Sequence, residues 1–354
     1  MDLLDLTLRW PIIGAPMAGG PSTPALAAAV GHAGGLGFLA GGYRTAEALA
    51  GEIEAVRALT TAPFGVNLFV PGDPAVDEGA VEGYLAGLRA EADELGVDLV
   101  PTWDDDGWAE KIALLVTRPV PVVSFTFGCP VATVVDRLRR AGSRIVVTVT
   151  DPVEARAAAA AGADAVCAQG IEAGGHQSTF SDDVGLETGM GLPTLIPAVC
   201  RAVDLPVIAA GGMMTGADVA VAVTAGAVAA QVGTALLRCP ESGAHHLHKE
   251  ALADPAFGAT AMTRAFSGRR ARGLVNRFVR AHPDAPSAYP QINNATRALR
   301  REAARRGDAQ TINLWAGQGF ARAEERPAAE VIARMGAEFE ALTPGTDRTG
   351  TGSP

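Results

Sequence analysis

Short apolar runs alternate with alanine-rich stretches through the first two thirds of the chain. The runs are PIIGA (11–15), LGFLA (36–40), FGVNLFV (64–70), PVVSFTF (121–127), RIVVTV (144–149), AVCAQ (165–169), PVIAA (206–210) and VAAQVG (228–233). They are apolar almost throughout rather than at every second position, which predicts strands covered on both faces, as in a parallel sheet under helices. Between them lie helical patterns such as AEALAGEIEAVRAL, VATVVDRLRRAG, DPVEARAAAAAG and TGADVAVAVTAG. Asp151 before Pro152 marks one helix start, and Gly162 follows its last turn. Thr215 and Asp218 are spaced as a capping box, with Gly226 at the far end. Eight strands with helices between them predict an α/β fold, a (β/α)8 TIM barrel, over an open doubly wound sheet. The gap from Val70 to Pro121 is long and carries helical stretches near 81–95 and 108–116.

After about Cys239 the rhythm stops. The stretch from Pro240 to Phe320 is richer in Arg, His, Asn and Pro and shows no strand run. The expected organisation is a barrel over 1–238, a smaller, mostly helical second domain or lid over 239–322, and a returning amphipathic helix near 325–343. The tail 344–354 is low in apolar residues and expected to be flexible.

Composition narrows the partners. The 354 residues are 48% hydrophobic and 19% charged, with a formal net charge of −10, which argues against nucleic acid or an anionic membrane as a partner. One basic stretch, TRAFSGRRARGLVNRFVR (263–280), is expected to contact acidic groups within the fold or an anionic small molecule. Four cysteines without a CxxC pair read as free thiols of a cytoplasmic protein, and the acidic start MDLLDLTLRW does not resemble an export signal. The nearly uncharged stretch 207–237 is cut by glycines into strand and helix lengths, so it reads as core rather than membrane span.

In a barrel of this kind, chemistry sits at the C-terminal ends of the strands. Gly211-Gly212 and Gly233-Thr234 follow the last two runs, and two such turns on neighbouring ends suit a phosphate. Asn67, Gln169 and Gln231 place amides at strand ends. Such groups could face a neutral heterocycle such as a flavin ring, or could cap local backbone. After the sixth run, GIEAGGHQSTF sets His176 directly behind Gly174 and Gly175. His245, His246 and His248 lie in a helical stretch without carboxylates at metal-ligand spacing, so no metal site is expected.

The motifs GAPMAGG, GVNLF, SFTFG, CAQGIEAGGH, PVIAAGG, QVGTA, AFSGRRARGL and LWAGQG together resemble the nitronate monooxygenases, formerly called 2-nitropropane dioxygenases, and their class I in particular. The resemblance runs from Pro11 to about Gly319. It implies FMN as cofactor, with its phosphate at Gly212 and the run Gln231, Val232, Gly233, Thr234, and with Gly211 among the cofactor-binding residues. It places the ring near Ala15, Pro16, Met17, Asn67, Gln169 and Gly174, with Gly175 letting the loop lie against it. It implies that His176 is catalytic, positioning an anionic nitronate or taking a proton from a neutral nitroalkane, roles suited to a near-neutral pKa. The partners would be a small-molecule nitronate, such as propionate 3-nitronate, and O2, and a homodimer is one expectation for the assembly. Similar enzymes commonly carry a histidine within the segment that reads SFTFG here, where this chain has Thr126. An NAD(P)H-dependent flavin reductase of quinones or enoyl thioesters, or a non-catalytic sensor of a phosphate ligand, would share parts of this pattern.

Overall fold

The structure, a computed structural model, describes residues 2–182 and 184–343; the expected flexible tail lies outside the described residues. A short hairpin, β1 (Asp2–Leu3) and β2 (Leu6–Thr7), precedes the repeating unit. All eight predicted runs then form strands: β3 (Ile12–Gly14), β4 (Gly37–Ala40), β5 (Phe64–Phe69), β6 (Val122–Thr126), β7 (Arg144–Val149), β8 (Ala165–Gln169), β10 (Val207–Ala210) and β11 (Ala229–Val232). The two-residue strand β9 (Gly175–His176) lies between β8 and β10 in sequence but in another sheet. The eight strands are parallel to their neighbours, in the order β3-β11-β10-β8-β7-β6-β5-β4. A parallel bridge between Ile13 and Leu36, with Gly14 N donating to Leu36 O at 2.9 Å, joins the two edges. The fold is a (β/α)8 barrel.

Side-chain size explains the closure. Ile13, Phe38, Val122, Val146, Cys167, Ile208 and Ala229 meet inside the barrel near the strand starts, where the hairpin's Leu3 and the following Leu8 join them. Large side chains such as Ile13, Phe38 and Ile208 share this layer with small ones such as Cys167 and Ala229. Outward-facing Leu39, Val66, Val123, Phe125 and Val147 pack under the helices and are fully buried. Each such side chain contributes about 1.5–3 kcal/mol by leaving water. Asp151 caps the helix Pro152–Ala160, and Thr215 with Asp218 forms the expected capping box on Gly216–Thr224. The returning helix, Ala328–Leu342, packs its Gly336 against Trp10 and crosses Gly216, whose N–H donates to Glu338 Oε2 at 2.8 Å.

The region after Cys239 departs from expectation. It holds the helices His246–Ala251, Arg277–Ala281, Gln291–Ala295 and Arg297–Arg305, but also two strands, β12 (Thr260–Thr263) and β13 (Ala271–Leu274). These pair antiparallel, and β13 pairs in turn with β9, placing Ala271 opposite His176. The strands escape the sequence pattern because each is four residues long and ARGL carries a charge at its second position. The gap after β5 also divides. Trp108–Thr117 packs on the barrel, whereas Glu78–Gly87 and Arg89–Leu95 join the second region, where Leu88 meets Phe266 and Phe278.

Candidate active site

A cavity of about 490 Å³ opens at the C-terminal ends of the strands, roofed by the second region. Every expected site residue except Val232 lines it. Val232 is 1% exposed with its side chain in the core, and only its carbonyl serves the site, accepting Ala15 N–H at 2.8 Å.

The glycine turns leave donors free. Among the described residues, the backbone N–H groups of Gly212, Gly233 and Thr234 have no hydrogen-bond acceptor. Thr234 Oγ1 accepts from Gly317 N at 3.0 Å, which leaves its hydroxyl hydrogen to donate. The neighbouring helix start at Gly216 offers no further anion site. Met214 N and Thr215 N already donate to Asp218 Oδ2, and Gly216 N donates to Glu338. A Cβ on Gly233 would press on Ala15 Cβ at 3.3 Å and Met17 Sδ at 3.5 Å.

The three amides differ. Asn67 Nδ2 donates to Ser124 Oγ at 2.9 Å and Thr126 Oγ1 at 3.0 Å, so its hydrogens are engaged. Gln169 braces the histidine loop, donating to His176 O at 3.1 Å and accepting from Ser178 N at 2.7 Å. Gln231 makes no side-chain hydrogen bond among the described residues and is free to meet a ligand.

His176 is held from several sides. Gly174 precedes it because a Cβ there would lie within 2.5 Å of the Ala316 carbonyl carbon and closer still to Gly317 N. The glycine therefore serves a close approach of two loops. Gly175 has φ +74° and open space where a Cβ would point. Beyond the histidine, Gln177 N donates to Arg270 O at 2.8 Å. The basic stretch finds its acidic partner in Asp182, which accepts from Arg264 Nε at 2.8 Å and Arg270 Nε at 2.7 Å. These buried pairs tie the loop 177–182 to the second region.

His176 Nε2 lies 2.8 Å from Ser267 Oγ. Ser267 donates its single hydroxyl hydrogen to Arg269 O at 3.1 Å, so Nε2 is the donor and Nδ1 carries the lone pair. The ring stands among Phe127, Tyr289 and Trp315, at centroid distances of 5.6, 5.7 and 5.5 Å. Burial, reinforced by the charges of Arg269 and Arg300, pushes its pKa down to about 3. The expected near-neutral pKa is thus not found: the imidazole is uncharged at neutral pH, although one face still meets the cavity.

Several lining residues were not singled out by the sequence as site residues. Tyr43 (φ 65°) and Phe127 (φ 77°) adopt left-handed backbone at the rim. Tyr43 N donates to Asp106 Oδ1 at 2.8 Å, and Asp106 pairs with the buried Lys111 at 2.7 Å, which holds the strained turn. Arg269 stacks over Phe127 at 4.1 Å. Tyr289 Oη donates to Tyr43 Oη at 3.1 Å, linking lid to barrel. His245 and His248, which the sequence assigns to an ordinary helix, reach the cavity wall; His248 Nε2 bonds Trp315 O at 3.0 Å. Asn293, Arg300, Asn313 and Trp315 also line it. Only long-range pairing brings these segments together.

A family model described as nitronate monooxygenase matches residues 2–338. A nitronate monooxygenase of Pseudomonas aeruginosa is 43% identical over 338 residues, covering 92% of this chain and 95% of the relative. A probable nitronate monooxygenase of Staphylococcus saprophyticus is 38% identical over 319 residues, covering 88% and 90%. Among solved structures, a nitroalkane oxidase from Streptomyces ansochromogenes superposes with a TM-score of 0.92 at 52% identity, covering 95% of this chain and 99% of that one. FabK from Thermotoga maritima superposes with a TM-score of 0.74 at 30% identity, covering 95% and 94%.

Proposed function

Given that the chain belongs to the nitronate monooxygenase family, and so is an oxidoreductase, we propose that it oxidises alkyl nitronates with O2, using FMN, to a carbonyl compound and nitrite. Propionate 3-nitronate is a representative substrate. The observation that carries the FMN reading is the set of unpartnered N–H groups at Gly212, Gly233 and Thr234, on two adjacent strand ends of a cavity that also holds an uncommitted amide, Gln231. These donors fit a phosphate. Ala15, Pro16 and Met17, with Gly174 and Gly175, would border the ring, and Asn67 would present its amide oxygen. When bound, FMN supplies the electron acceptance and the oxygen chemistry; the protein supplies orientation, charge and exclusion of water.

His176 acts in this reading through Nδ1, as an uncharged acceptor. It would take the proton from the nitro-bearing carbon of a neutral nitroalkane, or accept a hydrogen bond, but it does not offer a positive charge to a nitronate. An anion entering near Arg269 and Arg300 would offset the two charges that hold its basicity down, making proton transfer easier when substrate is present. Ser267 fixes the tautomer, and Phe127, Tyr289 and Trp315 keep the ring in place. Asp182 and Gln169 position the loop that carries it.

The test is to purify the protein, release its cofactor by denaturation, and follow oxygen uptake with propionate 3-nitronate. Released FMN with nitrite formation is expected. A colourless protein that takes up no FMN would defeat the cofactor reading. NAD(P)H consumption with a quinone or enoyl thioester, and none of nitronate, would replace it with the reductase.

A further inference from the structure

The cavity has a charge balance opposite to that of the chain. The protein carries a formal net charge of −10, yet among the described residues no Asp or Glu lines the cavity, whereas Arg297, Arg300 and Arg301 do. All three sit on the first turns of the helix Arg297–Arg305 in the second region. Arg300 is the one built into the site. Its Nη2 donates to Asn293 O at 2.8 Å and Asn293 Oδ1 at 3.0 Å, and one Nη1 hydrogen goes to Asn313 Oδ1 at 3.1 Å. Nε makes a long bond to Thr296 O at 3.4 Å.

Every one of these acceptors is neutral. Among the described residues, no carboxylate lies within ion-pair distance of Arg300. The hydroxyls of Tyr43 and Tyr289 stand near it, but burial raises the pKa of both, so neither becomes its counterion. Burial lowers the guanidinium itself only to about 10, so it stays cationic at neutral pH. A cation held by neutral amides and facing a cavity is an arrangement that awaits an anion. Two donors remain for it: the second Nη1 hydrogen of Arg300, and Asn313 Nδ2, which has no partner among the described residues.

We propose that Arg300, with Asn313, is the anion anchor that makes the site select charged nitronates over their neutral nitroalkane forms. The proposal rests on the nitronate reading and adds to it the residue that recognises the charge. His176 cannot do this, being uncharged, so the counter-charge to the substrate comes from the lid rather than from the barrel loop. Arg269 is excluded as the main anchor because it faces Phe127 and Thr179 O and does not line the cavity.

The experiment compares wild-type holoenzyme with Arg300→Gln and Arg300→Lys. The probes are ethyl nitronate and nitroethane as substrates or competitors, and inorganic nitrate as a planar trigonal anion that reports binding through the flavin absorbance. Arg300→Gln should lower kcat/KM for ethyl nitronate by about 10- to 100-fold, mainly through KM, the range for one charge-assisted hydrogen bond. Nitrate binding should weaken by a similar factor, nitroethane should change less than about threefold, and Arg300→Lys should recover most of the nitronate activity by restoring the charge. FMN content and Tm should match wild type in both variants.

Equal weakening for nitroethane, unchanged nitrate binding, or loss of FMN from Arg300→Gln would each overturn the proposal. So would a loss confined to nitronates that carry a second, distal carboxylate, since the anchor would then serve the tail. If the wild-type protein consumes no oxygen with any nitronate, the functional reading fails separately. The nitrate and nitroethane binding comparison would still decide the role of Arg300.

Discussion

Replacing Gly174 with alanine tests whether the site depends on two loops meeting across the barrel mouth. The new methyl would lie within 2.5 Å of the Ala316 carbonyl carbon, against an ordinary contact of 3.4–4 Å. The two backbones must therefore separate by about 1 Å, because close-packed interiors have no slack to absorb it. Overpacking of this kind costs about 1–3 kcal/mol, a few degrees in Tm for a chain of this size. The functional loss should be larger. The same displacement strains the Gly317 N–Thr234 Oγ1 bond and moves His176, two residues away, and a misplacement of about 1 Å can lower a rate by about a hundredfold. Gly175→Ala is the control: its methyl meets open space, and only the left-handed backbone, at about 1–2 kcal/mol, opposes it. Far-UV circular dichroism, Tm, FMN content and steady-state oxygen uptake would be measured for both. A Gly174→Ala protein with wild-type kcat and Tm would refute the close-approach account and return both glycines to contact with the cofactor.

Other consequences are simpler to read. His176→Asn should leave FMN binding and Tm near wild type and lower turnover of a neutral nitroalkane by roughly a hundredfold or more, while a preformed nitronate loses less; equal losses on both would remove the base assignment. Asp182→Asn should destabilise the fold by about 3–5 kcal/mol in urea unfolding, because Arg264 and Arg270 lose their buried partner; an unchanged midpoint would show the pairs to be dispensable. His176 and His248 are held down to about 3 and about 4, below the ordinary value of 6.5, so the unfolded chain binds more protons than the native one in that window. Stability should be full above pH 6.5 and fall as the pH drops towards 4, and His248→Gln should flatten that fall; a Tm independent of pH across the window would contradict the burial of both rings.

The barrel was legible in the sequence because its cause is local in pattern. Strands covered on both faces must be apolar at nearly every position, and PIIGA, RIVVTV and PVIAA announce this without reference to their partners. Helix caps such as Asp151 and the Thr215–Asp218 box act within four residues, so they too could be read directly. The glycine turns at 211–212 and 233–234 and the loop of His176 followed from strand ends once the barrel was recognised. What lies above the barrel was decided by the tertiary structure. The strand β13 pairs with β9 on one side and β12 on the other, and no four-residue run containing an arginine predicts that. Tyr43 stays in a strained backbone because Asp106 and Lys111, more than 60 residues on, hold it there. Gln169 spans Ser178 N and His176 O instead of the open cavity, a choice that depends on how the loop returns. The charge of the site is the clearest case. Residue type alone made His176 a near-neutral switch and Arg300 one arginine among many. Burial removed the charge of the first, whereas the second, lowered by burial from 12.5 only to about 10, keeps its charge. Desolvation and the sign of neighbouring charges are sums over groups that only folding brings together.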